Sequence, residues 1–182
     1  DLAGVRNLLR SGSDASLLRV YNKSRQEVPR AALPADTVVA LYFSASWCGP
    51  CRSFTPRLVQ LYTILRSMGR RFEVVFVSND RAQQGFEQYW AEMPWLAVPF
   101  EDSRRRQQLG QMFGVRGIPT LVLFAPDGSL ITKEGVDLVS KDPRGQQFPW
   151  RGDATAQADE APDNTDESGD TLPPERPPRI GL

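Results

Sequence analysis

The sequence predicts an α/β fold whose sheet is parallel in its middle and antiparallel at one edge. Three observations carry that expectation. Val38–Ser44 and Phe72–Ser78 are continuous apolar runs of strand length, the pattern of strands covered on both faces. Between them Phe54, Leu58, Leu61, Leu65 and Met68 recur at helical spacing. Further on, Thr120–Phe124 and Leu130–Thr132 are joined by Pro126-Asp127-Gly128, a turn signal that makes them a hairpin.

Taken in order, residues 17–21 (LLRVY) offer a first strand between Asp14 and Asn22-Lys23. After Val38–Ser44, the apolar stripe ends at Met68, and Gly69 stands where a helix C-cap belongs. Pro56 falls inside that helix and is expected to kink it by removing one backbone hydrogen bond. Residues 83–93 read as a helix stopped by Pro94, and residues 103–113 as another with Ser103 as N-cap. Pro94, Trp95 and Phe100 form an apolar group expected to pack rather than to bind a partner.

Composition bounds the chemistry. The 182 residues are 40% apolar and 24% charged, a soluble globular balance. No run approaches the ~18 apolar residues of a membrane-spanning helix. There is no histidine, which removes Ser–His–Asp and Cys–His pairs, histidine bases and most zinc and non-haem iron sites. Two cysteines are too few for a disulfide-rich secreted scaffold. The zero net charge hides a split: residues 1–150 carry 19 basic and 14 acidic side chains, residues 151–182 carry 3 and 8. No basic cluster is interleaved with aromatics as a nucleic-acid surface would be, and Arg104-Arg105-Arg106 reads as a solvated helix face. The last segment, with five prolines and no aromatic residue, cannot bury enough apolar surface to offset ordering and is expected to be a disordered acidic tail. The chain thus divides into an extension or linker over 1–14, one α/β domain over 15–150 and the tail over 151–182. It opens on Asp1 rather than Met, so an excerpt or a processed form is expected. The arginine-rich, disulfide-poor composition points to cytoplasm or nucleus.

The chemistry sits between the first buried run and the helix, in Ser46-Trp47-Cys48-Gly49-Pro50-Cys51-Arg52. A Cys-x-x-Cys at a helix N-terminus places the first sulfur beside unpaired N–H groups and the positive end of the dipole. Both favour thiolate, drawing the pKa down from about 8.5. Two intervening residues let the second sulfur reach the first and close an exchangeable disulfide. Pro50 suits the first turn, where its missing N–H costs nothing. A zinc half-site lacks further Cys or His ligands, a structural disulfide gains little from so short a loop, and chance placement at this junction is a poor explanation. No metal is expected.

Trp47-Cys48-Gly49-Pro50-Cys51 resembles the active-site motif of the thioredoxin superfamily, and Val115-Arg116-Gly117-Ile118-Pro119-Thr120 resembles its second signature, a loop with a cis-proline. The stretches at residues 42–48, 93–100 and 147–150 resemble the nucleoredoxin and tryparedoxin families, with nucleoredoxin favoured by residues 76–81 and 104–106. The resemblance covers roughly residues 15–150. It implies a three-layer α/β/α sandwich with a central mixed sheet. It also implies a protein-disulfide reductase in which Cys48 is the nucleophile and Cys51 resolves the mixed disulfide. Trp47, Gly49 and Pro50 complete the motif, with Trp47 shielding the site, while Ile118 and Pro119 present backbone to the substrate.

Two departures bear on mechanism. Gly49-Pro50 stands where nucleoredoxins and tryparedoxins usually carry Pro-Pro, which suggests a reducing poise near thioredoxin's at about −270 mV. Tyr42 occupies the position of thioredoxin's buried Asp, and a phenol is a poor base. Asp80 is then a candidate proton acceptor, its alternative being a turn or cap residue. No bound cofactor is expected. Reducing equivalents would come from a separate reductase or small thiol, with NADPH acting only indirectly, because no glycine-rich dinucleotide fingerprint occurs. The expected partners are protein or small disulfides met by a monomer, without nucleic acid or membrane. A redox-dependent binding module and an oxidant or isomerase are the competing readings.

Overall fold

The computed structural model describes residues 19–28 and 32–152. The segments 1–18 and 153–182, which include most of the expected linker and tail and the start of the expected first strand, lie outside the described residues.

The first buried run forms β1 (Val38–Ser44). The apolar stripe forms α1 (Gly49–Ser67), which continues through Pro56. Then follow β2 (Phe72–Ser78), α2 (Gln83–Ala91), β3 (Leu96–Ala97), α3 (Ser103–Met112), β4 (Thr120–Phe124), β5 (Leu130–Thr132) and α4 (Gly135–Lys141). The five strands lie in the order β3-β2-β1-β4-β5. β1 runs parallel to β2, and β2 to β3, while β4 is antiparallel to both β1 and β5. The mixed sheet expected from the sequence is present, and its antiparallel edge is the hairpin.

Alternation along β1 sorts the core into two faces. Val38, Ala40 and Tyr42 pack with Phe54, Leu58, Leu61 and Leu65 of α1, Phe86, Tyr89 and Trp90 of α2 and Val139 of α4. Val39, Leu41 and Phe43 face Leu109 of α3 and Phe113 on the other side. Helices therefore cover both faces, which is why β1 and β2 are buried along their whole length.

Several details depart from expectation. Met68 continues the spacing of the stripe but is 60% exposed, because it is the C-cap residue, one position past the last helical turn. Gly69 follows with φ of 72°, the left-handed conformation that glycine adopts without penalty. α3 is capped by Asp102, whose carboxylate accepts from the Arg105 N–H at 3.1 Å, and not by Ser103. Arg106 is no solvated side chain: its guanidinium donates to the Ser78 and Phe100 carbonyls at 2.8 and 2.7 Å and lies over the Phe100 ring. Trp95 is buried in the core, as its reading as a packing residue requires. Tyr21 makes isolated bridges to Glu27 and Ala97, closing the β3 edge without forming a strand. At the first residue of α4, a Cβ on Gly135 would stand 2.6 Å from the Leu121 carbonyl oxygen, so only glycine lets this helix lie against β4.

Candidate active site

Three loops meet at one end of the sheet. The first leaves β1 and enters α1, the second leaves β2, and the third enters β4. Because β1 and β2 are parallel and in register through Ser44 and Ser78, their carboxyl ends lie side by side. The Asn79 N–H donates to the Ser44 carbonyl at 2.8 Å and extends the ladder one step further. β4 runs the other way with Thr120 opposite Phe43, so the residues before Thr120 fold back over the start of α1.

Cys48 is the N-cap of α1. Its Sγ accepts a hydrogen bond from the Cys51 N–H at 3.2 Å, taking up a donor that the first turn of the helix leaves unpaired. No acidic side chain occupies that turn. Cys48 and Cys51 form a disulfide with their Cα atoms 5.2 Å apart. Cys51 is wholly buried, and Cys48 retains 6% of its surface. Pro50 lies in the first turn, where no hydrogen bond is lost.

The third loop supplies the far wall. The Ile118–Pro119 peptide is cis, as is Phe148–Pro149, which the sequence did not flag. The Ile118 carbonyl oxygen lies 3.8 Å from Cys48 Sγ, and the Ile118 side chain packs on Ala45 and both cysteines. Gly49 adjoins Cys48 and Gly117 adjoins Ile118; both are exposed and a Cβ on either would meet nothing within 4 Å, so the surface beside these two neighbours of the disulfide is open. Trp47 stands beside this opening, 58% exposed.

Beneath Cys51 lies a chain of buried hydroxyls. Thr55 donates to the Cys51 carbonyl at 3.0 Å, and its Oγ1 is 2.7 Å from the Tyr42 hydroxyl and 2.6 Å from that of Tyr89. Tyr89 continues to Ser44 Oγ at 3.0 Å. Burial pushes the Tyr42 phenol above its ordinary range, so it remains protonated in this setting. Sequence reasoning found Tyr42 but not Thr55, Tyr89 or Ser44. Their only signal was polar residues within otherwise apolar segments.

Asp80 follows β2 and is 6% exposed. Its Oδ1 accepts from the Ser46 N–H at 2.9 Å and the Ser46 hydroxyl at 2.5 Å, and its Oδ2 from the Ser78 hydroxyl at 2.8 Å. The carboxylate therefore grips the residue two places before Cys48. Gly85 of α2 is part of this arrangement, since a Cβ there would come within 3.0 Å of Ser46 Oγ. Among the described residues no cluster of three or more His, Cys, Asp or Glu side chains is placed to hold a metal ion.

Comparison with known proteins agrees with this geometry. A thioredoxin-like family model matches residues 36–130. The chain is 45% identical over 131 residues to nucleoredoxin of Danio rerio, covering 72% of this chain and 31% of that protein. It is 48% identical over 112 residues to nucleoredoxin of Homo sapiens, covering 62% and 26%. Tryparedoxin of Trypanosoma brucei brucei is 39% identical over 150 residues, covering 82% of this chain and 94% of its own. Among solved structures, native tryparedoxin I from Crithidia fasciculata superposes with a TM-score of 0.72 at 39% identity, covering 82% of this chain and 99% of its own. The chain thus spans less than a third of the nucleoredoxins it matches and nearly all of the tryparedoxins. A helix-capping cysteine pair, a facing cis-proline loop and a matching family model over half the sequence lead to one conclusion: the chain belongs to the thioredoxin-like family.

Proposed function

We propose that the chain is a thiol–disulfide oxidoreductase that reduces disulfides in proteins or small molecules. The observation that carries this reading is the place of Cys48 Sγ at the head of α1, with the Cys51 N–H pointing at it from 3.2 Å. In the dithiol form the same donor and the positive end of the helix stabilise the thiolate over the thiol.

The Cys48 thiolate attacks one sulfur of a substrate disulfide. A Cys48–substrate disulfide forms, and the other substrate sulfur leaves as thiolate. Cys51 then loses its proton and attacks Cys48 Sγ, which closes the internal disulfide and expels the second substrate thiolate. Two electrons pass to the substrate, and solvent supplies the protons that its thiolates take up. A separate reductase or a small dithiol restores the Cys48–Cys51 pair, and NADPH contributes only through such a reductase. The Ile118 carbonyl beside Cys48 supplies a backbone acceptor for a substrate lying in the open ground between Gly49 and Gly117. Asp80 holds the Cys48 loop and acts as a positioning residue, both of its oxygens being engaged by serine donors. A tryparedoxin II solved in complex with glutathionylspermidine lends support to small thiols as further ligands of such a site.

Reduction of insulin by dithiothreitol tests the proposal. The intact pair should accelerate precipitation well above background, and Cys48→Ser should abolish the gain. Cys51→Ser should instead accumulate a mixed disulfide on Cys48, readable by mass. A Cys48→Ser protein that holds its partners as firmly as the parent, from a parent with no turnover, would assign the chain to binding rather than catalysis.

A further inference from the structure

We propose that the rim of this site selects disulfides flanked by acidic residues. The inference rests on the oxidoreductase reading and adds to it the class of substrate.

The three loops around Cys48 carry Arg81, Arg116 and a single carboxylate, Asp80, and the first turn of α1 adds Arg52. In sequence, Asp80 and Arg81 are adjacent and would cancel. In space they separate. Asp80 turns inward and is buried with both oxygens bound to Ser46 and Ser78, whereas Arg81 remains exposed, its guanidinium 5.7 Å from the centre of the exposed Trp47 ring. Trp47 directly precedes the nucleophile, so this contact keeps the Arg81 charge at the edge of the site. Arg116 is exposed in the cis-proline loop, two residues before the Ile118 carbonyl that lies against Cys48 Sγ. None of the ion pairs among the described residues involves Arg81 or Arg116. Arg52, by contrast, is paired with Glu92 at 3.3 Å and adds little net charge. Two cations without an ion-pair partner among the described residues therefore stand on two different loops, one beside Trp47 and one two residues before the carbonyl that meets the sulfur, with open ground at Gly49 and Gly117 to receive a chain.

A substrate segment laid across this ground advances about 3.3 Å per residue. Side chains one or two positions from its cysteine then fall within the screening length of about 8 Å at physiological ionic strength, and negative charge there is attracted. An isolated contact of this kind is weak in water, but the summed field of fixed cations beside a site raises encounter rates by about tenfold or more at low salt.

The test uses two peptide disulfides that differ only in the residues flanking cysteine, glutamate in one and lysine in the other. For the intact protein, kcat/KM should favour the glutamate peptide by about tenfold at low ionic strength, and salt should erode the ratio. The ratio is the readout because any change in Cys48 reactivity cancels from it. Arg81→Glu with Arg116→Glu should invert the preference, and the milder Arg81→Gln with Arg116→Gln should bring it near unity. Arg144→Glu makes the charge change of one rim substitution next to Gly145, which lies against Leu61 and Leu65 towards the far end of α1, and should leave the ratio in place, whereas Arg81→Glu alone should lower it. A ratio near one in the intact protein overturns the inference, as does an Arg144→Glu effect equal to that of the rim. Reduction of neither peptide would instead overturn the oxidoreductase reading beneath it.

Discussion

At the amino end of β2 Glu73 is buried, and just past its carboxyl end Asp80 is buried, yet the two carboxylates are held in opposite ways. Glu73 accepts from the Tyr62 hydroxyl at 3.2 Å and its neighbour's Val74 N–H at 3.0 Å, and it pairs with the half-exposed Arg66 at 3.4 Å. Burial outweighs these partners and pushes its acid pKa up. Asp80 accepts from three donors, two of them on Ser46 in the loop that leads into Cys48. One carboxylate ties the end of a helix to the sheet, while the other fixes the approach to the reactive sulfur. Similar burial and the same charge thus serve the scaffold at one end and the chemistry at the other.

The largest expected break in this contrast comes from Asp80→Ala. Loss of the acceptor for three donors should cost about 3 kcal/mol, seen as a lower urea midpoint at constant slope, with slower disulfide reduction in the fraction that remains folded. An equal cost from Glu73→Ala would erase the distinction. Tyr42→Phe should be milder, about 1 kcal/mol, because Thr55 keeps Tyr89 and the Cys51 carbonyl as partners. Its pH–rate profile should not move, since a buried phenol that stays protonated takes no proton from Cys51. A displaced profile would make Tyr42 the acceptor.

The smallest effect belongs to Glu73→Gln, and its signature is pH dependence. A folded-state pKa raised above the unfolded value means that the native protein holds this proton more tightly. The stabilisation is present below the unfolded pKa and is lost as pH rises through the folded one. Glu73→Gln should remove that decline from thermal denaturation measured across the carboxylate range, with little change in activity. A stability curve that still falls by the same amount would place the ionisation elsewhere.

Most of the architecture was legible because it is written in apolar runs. β1, β2, β4 and β5 fall where Val38–Ser44, Phe72–Ser78 and the hairpin place them. The elements that escaped are short or weakly signed. β3 has two residues within a stretch bounded by Pro94 and Pro99, and its pairing comes from β2 rather than from any pattern of its own. α4 is seven residues long and lacks a side-chain cap. Asp102 and Ser103 are both good caps, and only the tertiary position of α3 chooses between them. In the site, the cysteine pair and the Ile118–Pro119 loop were readable as motifs. The inward turn of Asp80 was not, because it depends on a serine thirty-four positions away in the chain. Nor was the inward reach of Arg106, whose acceptors are the Ser78 and Phe100 carbonyls.

The chain contains no imidazole, and the fixed cations beside the sulfur are guanidinium groups that keep their charge at any pH a folded protein tolerates. Between about pH 5 and pH 8 the usual histidine background to an activity curve is therefore missing. An inflection in that interval would then report on the two cysteine thiols rather than on an imidazole, so ordinary rate measurements could serve as a direct titration of the reacting pair.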